Sequence, residues 1–126
     1  MIRSPRRPLL YLALAIPLGG CGDSPPGIGE IPPSSVAVNV GNVFFQSVHN
    51  GSIHPALDTV GAGGAATWTW IEPGTHGVRF EAAGLPESPQ MTESGSVFRM
   101  TFPTAGTYTY DCPIHGSVMS GTIVVK

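Results

Sequence analysis

Tyr110-Asp111-Cys112-Pro113-Ile114-His115-Gly116-Ser117-Val118-Met119-Ser120-Gly121 is the stretch from which the rest of the chain can be read. A thiol, an imidazole and a thioether fall within eight residues of it, Cys112 to Met119. Before it, Tyr108 and Tyr110 alternate with Thr107 and Thr109; after it, Thr122 to Val125 is a β-branched run. Period-two alternation on one side and β-branched residues on the other make the stretch a connection between two strands.

Upstream the same pattern repeats. Val36, Val38 and Val40 alternate, and Val43-Phe44-Phe45 continues after Gly41-Asn42. His49-Asn50-Gly51-Ser52 has the chemistry of a tight turn, and an irregular stretch runs on to Leu57. Trp68 and Trp70 share one face with Thr67 and Thr69 on the other. His76, Val78 and Phe80 alternate with Gly77, Arg79 and Glu81, and Phe98, Met100 and Phe102 with Val97, Arg99 and Thr101. No segment has a helical period, and 13 prolines and 17 glycines in 126 residues oppose helices. About seven short strands in residues 36–126 predict an all-β fold, a Greek-key two-sheet antiparallel β-sandwich.

The N-terminal part reads differently. Arg3, Arg6 and Arg7 precede an apolar run from Leu9 to Leu18, and Gly19-Gly20-Cys21 follows. That is the layout of an export signal over residues 1–20, and the run is shorter than the roughly 20 residues a membrane-spanning helix needs. Its end resembles the lipobox of bacterial lipoproteins, which implies an acylated Cys21 as the first mature residue. The Arg6-Arg7 pair allows twin-arginine export as well as the general route. Residues 21–35, rich in Pro, Gly and Ser, read as a flexible tether. The sequence therefore places the domain in the bacterial cell envelope, on the periplasmic or extracellular side, touching membrane only through a lipid anchor. The Asn50-Gly51-Ser52 triplet fits a turn better than a glycosylation site in that setting.

The full chain carries six basic and eight acidic residues. Cleavage before Cys21 leaves Arg79, Arg99 and Lys126 against all eight acids, a net charge of −5 with histidine neutral. Three scattered cations make no footprint for nucleic acid. Cleavage also leaves Cys112 as the one cysteine of the folded domain, and a lone thiol in an oxidising compartment needs a reason.

Taken singly, Cys112 is a buried thiol, His115 a loop histidine, and Met119 core packing like Met91 and Met100. Their spacing together is that of metal ligands. Soft sulfur donors with imidazole favour copper, and two His, one Cys and a weak axial Met make the blue-copper set. The second imidazole must come from elsewhere. His76 is the leading candidate, because it opens a strand whose inward face continues through Val78 and Phe80. His49 and His54 compete from a turn-rich stretch without such alternation. Zinc would want four Cys or His ligands, and a binuclear copper centre would want two cysteines.

Residues 36–126 resemble the cupredoxin family, its plastocyanin-like branch in particular. The resemblance lies in Tyr110 before the cysteine, the Cys112-x-x-His115 spacing, Met119, Gly121 leading into the last strand, and His76-x-Val78-x-Phe80 upstream. Three features depart from the family pattern. Gly77 stands where Asn is frequent, Thr67-Trp68-Thr69-Trp70 replaces Thr-Trp-x-Asn, and three residues separate His115 from Met119. The resemblance implies one mononuclear copper ion held by His76, Cys112, His115 and Met119, with His115 as the electron port. The implied role is that of a monomeric carrier of single electrons to a redox partner such as a cytochrome or oxidase, not of an enzyme. Storage or delivery of copper in the envelope would use the same ligands.

Overall fold

The computed structural model describes residues 29–126. The segment expected to be an export signal, Cys21 and the first part of the expected tether lie outside the described residues. Eight strands form: β1 (Ser35–Gly41), β2 (Phe44–Ser47), β3 (Ala56–Val60), β4 (Gly64–Trp70), β5 (Arg79–Phe80), β6 (Val97–Phe102), β7 (Gly106–Cys112) and β8 (Gly116–Val125). Among the described residues there is no helix.

The strands build two four-stranded sheets, in the orders β2-β1-β4-β6 and β3-β8-β7-β5. Only the connections β1–β2 and β7–β8 stay within a sheet; every other one crosses between the layers. The sandwich is as expected, but its sheets are mixed rather than wholly antiparallel. β1 pairs with β4 and β3 with β8 in parallel. Alternation reports which face a side chain takes and is silent on strand direction; crossings between layers are what bring parallel neighbours together.

The inward positions are those the alternation marked. Val38, Val40, Phe45, Trp68, Trp70, Val78, Phe102, Tyr110 and Ile123 are fully buried. Each large apolar side chain so placed contributes roughly 1.5–3 kcal/mol relative to exposure. Tyr110 sits at the centre, in edge contact with Phe45 at 5.0 Å and Trp68 at 5.2 Å between ring centroids. Its ring lies across β8 at Gly121, its cross-strand partner, where a Cβ would collide with the phenol.

One strand escaped the sequence reading. The inward face of β3 runs Ala56, Asp58, Val60, so a carboxylate interrupts the apolar row. Asp58 is only 4 % exposed, and its Oδ1 accepts a 2.7 Å hydrogen bond from Ser47 Oγ. Burial raises its pKa, opposed by that hydrogen bond and by His49. That bond satisfies one carboxyl oxygen, while Oδ2 is buried with no partner among the described residues.

Candidate metal centre

Three elements deliver the site. β7 brings Cys112 in at its last position, fully buried on the same inward face as Tyr110. The chain then turns through Pro113, Ile114 and His115 and re-enters β8 at Gly116, whose φ of +67° suits a residue without a Cβ. Pairing across this hairpin is irregular. Asp111 faces Ser120, but Cys112 faces Gly116. A continued register would set Cys112 against Met119, so residues 117–119 are an excess carried by β8. That excess exposes Val118 and returns Met119, fully buried, to the register position next to Cys112.

His76 arrives from the other side of the core. It lies before β5, in a two-residue bridge with Met91: His76 N–H donates to Met91 O at 3.1 Å and Met91 N–H to His76 O at 2.9 Å. Here β5 is shorter than its alternation suggested, because the backbone of Val78 is occupied otherwise. Its N–H donates to Ser88 Oγ at 2.8 Å, its carbonyl accepts Ser88 N–H at 3.0 Å, and pairing with β7 begins only at Arg79. The inward face still holds, with His76 1 %, Val78 0 % and Phe80 8 % exposed.

The ligand atoms converge. Cys112 Sγ lies 3.5 Å from His115 Nδ1 and 4.0 Å from His76 Nδ1, and the three atoms all lie within 4.8 Å of one another. An ion bound to sulfur at about 2.3 Å and nitrogen at about 2.0 Å, with an angle near 120°, sets S and N about 3.7 Å apart. The observed separations bracket that value, so the three donors could hold one metal ion together. A thiolate with two imidazoles is the chemistry copper prefers. Burial, and then the nearby His115, lower the pKa of His76. The neutral imidazole that a metal requires is therefore favoured. His76 and His115 stack at a tilt, 5.0 Å between centroids, with His76 deep and His115 half-buried.

The competing histidines stay out. His49 is exposed, and His54 is exposed with Nδ1 3.3 Å from Val118 O, on the outside of the ligand loop. Gly77, where a supporting side chain was expected to be missing, packs tightly. A Cβ there would meet the Pro113 ring at 3.2 Å and 3.3 Å and Ser88 Oγ at 3.5 Å. Pattern reading missed these neighbours, as it did the bidentate pair of Arg79 and Asp111 (Nε–Oδ1 3.0 Å, Nη2–Oδ2 2.8 Å) on the outer face beside Cys112. The cross-strand pairing of Arg79 with Asp111 would have exposed that pair had the register been known.

Comparison with known proteins agrees with this geometry. Residues 34–126 match the family model of copper binding proteins, plastocyanin/azurin family. Amicyanin of Paracoccus denitrificans is 29 % identical over 107 residues, covering 82 % of this chain and 75 % of the relative. Among solved structures, the reduced Cu(I) form at pH 4 of a proline-to-glycine variant of amicyanin superposes with a TM-score of 0.59 at 27 % identity, covering 77 % of this chain and 87 % of that one. An oxidized proline-to-glycine variant gives 0.60 at 26 % identity, covering 78 % and 88 %. With its donor set and its sandwich accounted for, this chain belongs to the plastocyanin/azurin family of copper-binding proteins, as an amicyanin-like cupredoxin with a single copper ion as its cofactor.

Proposed function

We propose that the protein carries single electrons between redox partners of the bacterial cell envelope, tethered there by lipid on Cys21. The observation that carries the electron-transfer reading is the convergence of Cys112 Sγ with two imidazole Nδ1 atoms at the closed end of a rigid sandwich. Copper in such a set supplies a one-electron couple with no proton or bond to account for. The residues do the rest. Cys112 and His76, both buried, would hold the ion together with His115, and Met119, buried beside them in the register, would add its thioether. His115 is half-buried at the turn, with Ile114 46 % and Val118 66 % exposed close to it in sequence. That apolar collar suits brief contact with a cytochrome or oxidase and places the imidazole as the port. Relatives have been captured in both Cu(I) and oxidized forms, which supports a site that holds copper through the redox cycle.

The reading is tested by voltammetry of residues 22–126 loaded with copper. Repeated cycles without metal loss, together with fast exchange with an envelope cytochrome, are expected. Rapid loss of copper(I) to a modest chelator, with sluggish exchange, would make storage or delivery the function instead. Anchoring is tested separately: the full chain should partition into detergent and Cys21→Ala should not, and an unmodified N-terminus at another residue would refute it.

A further inference from the structure

An imidazole that offers Nδ1 to a metal carries its proton on Nε2, and that N–H needs an acceptor. His76 Nε2 is buried and has no hydrogen-bond partner among the described residues. Leaving such a donor unpaired costs about 1–3 kcal/mol. Metal-bound histidines almost always give this proton to a carboxylate, a carbonyl or water.

Gly74 and Asn42 lie on the side of the ring where that nitrogen points. A Cβ built on Gly74 would stand 2.8 Å from His76 Nε2 and, at the same point, 3.4 Å from Asn42 Oδ1. The bare Cα of Gly74 is thus the floor of a cleft whose walls are the ring nitrogen and the Asn42 carboxamide. A Cβ at 74 would crowd the nitrogen. Both walls are pinned. Asn42, on the turn between β1 and β2, donates its N–H to Glu72 Oε2 at 2.8 Å, and Gly74 donates its N–H to Thr92 O at 3.0 Å. His76 itself is held by its double bond to Met91.

We propose that Asn42 Oδ1 accepts the hydrogen bond of His76 Nε2–H, in the space that Gly74, at φ +154° and without a Cβ, leaves open. Asn42 is then a positioning residue. It fixes the tautomer that leaves Nδ1 free for copper and holds the ring plane towards Cys112. This rests on the copper reading of His76, and the experiment separates the two.

In metal-free protein, ¹⁵N NMR of the imidazoles should show the His76 proton on Nε2 and protected from exchange. Asn42→Ala should lose that protection, whereas Asn42→Asp, which keeps the acceptor, should retain it. In copper(II) competition titrations, Asn42→Ala and Gly74→Ala should bind ten- to hundredfold more weakly, with Asn42→Asp close to the parent. With copper(I) affinity unchanged, each tenfold loss raises the reduction potential by 59 mV. A metal-free parent with the His76 proton on Nδ1 overturns the proposal whether or not any variant folds. So does an Asn42→Ala protein with parental protection and parental copper affinity. A parent that binds no copper would overturn the metal reading instead, leaving the tautomer measurement to judge Asn42.

Discussion

The phenol end of the Tyr110 ring occupies the space where a Cβ of Gly121, the residue paired with it across the β7–β8 ladder, would stand. The contact joins the two strands that carry Cys112 and Met119, two residues before Cys112 and two after Met119. A methyl at 121 would strike the ring, and Tyr110 has no free side to move into, being packed by Phe45, Trp68 and Phe80. Gly121→Ala is therefore expected to cost about 1–3 kcal/mol as an overpacking change. Denaturant unfolding of the metal-free protein measures this, and an unchanged midpoint would contradict the contact.

The ligand set makes a spectroscopic prediction. Residues 22–126 should take up one copper(II) and show an intense thiolate-to-copper band. Cys112→Ser should abolish it, since no other thiolate remains in that span. His76→Ala should weaken or distort it. His49→Ala and His54→Ala should leave it in place, because both side chains face solvent. A band that persists without Cys112 would defeat the assignment.

How far the sequence carried the structure can be seen strand by strand. Where inward positions are all apolar, as in β1, β4 and β7, alternation alone located the strand and its buried face. β3 was invisible because Asp58 breaks its row, and only the partner Ser47, eleven residues away, makes that acid admissible. The site divided in the same way. Cys112, His115 and Met119 were legible because their spacing is local. His76 was found through the face it shares with Val78 and Phe80. Asn42, Gly74, Ser88 and the Arg79–Asp111 pair were not legible, since each acts across a register or a layer crossing that composition does not encode.

Asp58 gives the fold a pH signature. Its folded pKa stands above the unfolded value of 3.8, chiefly because of burial. The unfolded chain therefore ionises first as pH rises, and the stability present below the unfolded pKa is lost as pH climbs through the folded one. Asp58→Asn keeps an acceptor for Ser47 Oγ and removes the charge. Stability profiles from pH 3 upward should be flatter for the variant, with Asp58→Asn the more stable protein at neutral pH. A parallel pair of profiles would contradict the burial argument.

Packing at Gly77 should be felt at the metal. Gly77→Ala forces the Pro113 ring, adjoining Cys112, to yield by a few tenths of an ångström from contacts of 3.2 Å and 3.3 Å. The charge-transfer band should persist with a shifted maximum, at a cost of about 1 kcal/mol or more in unfolding experiments. An unshifted band with unchanged stability would show that the proline is free to move.

Docking is tested at the collar. Ile114→Asp and Val118→Asp place charge on exposed apolar positions and leave the donors untouched. Electron exchange with a cytochrome partner should slow about tenfold, the equivalent of 1.4 kcal/mol in binding, while the absorption band stays where it was. Equal exchange rates would move the port elsewhere.

The parallel pairing of β3 with β8 bears on how the protein is made. β8 is an inner strand of its sheet, flanked by β3 and β7, yet it is the last ten-residue strand of the chain, Gly116–Val125. Until those residues leave the ribosome, β3 has no neighbour within its sheet, and the ladder from Ala56–Gly121 to Val60–Val125 cannot form. The sheet is thus unable to assemble until Gly116–Val125 has been synthesised. Losing residues of β8 would remove the middle of a sheet rather than its edge.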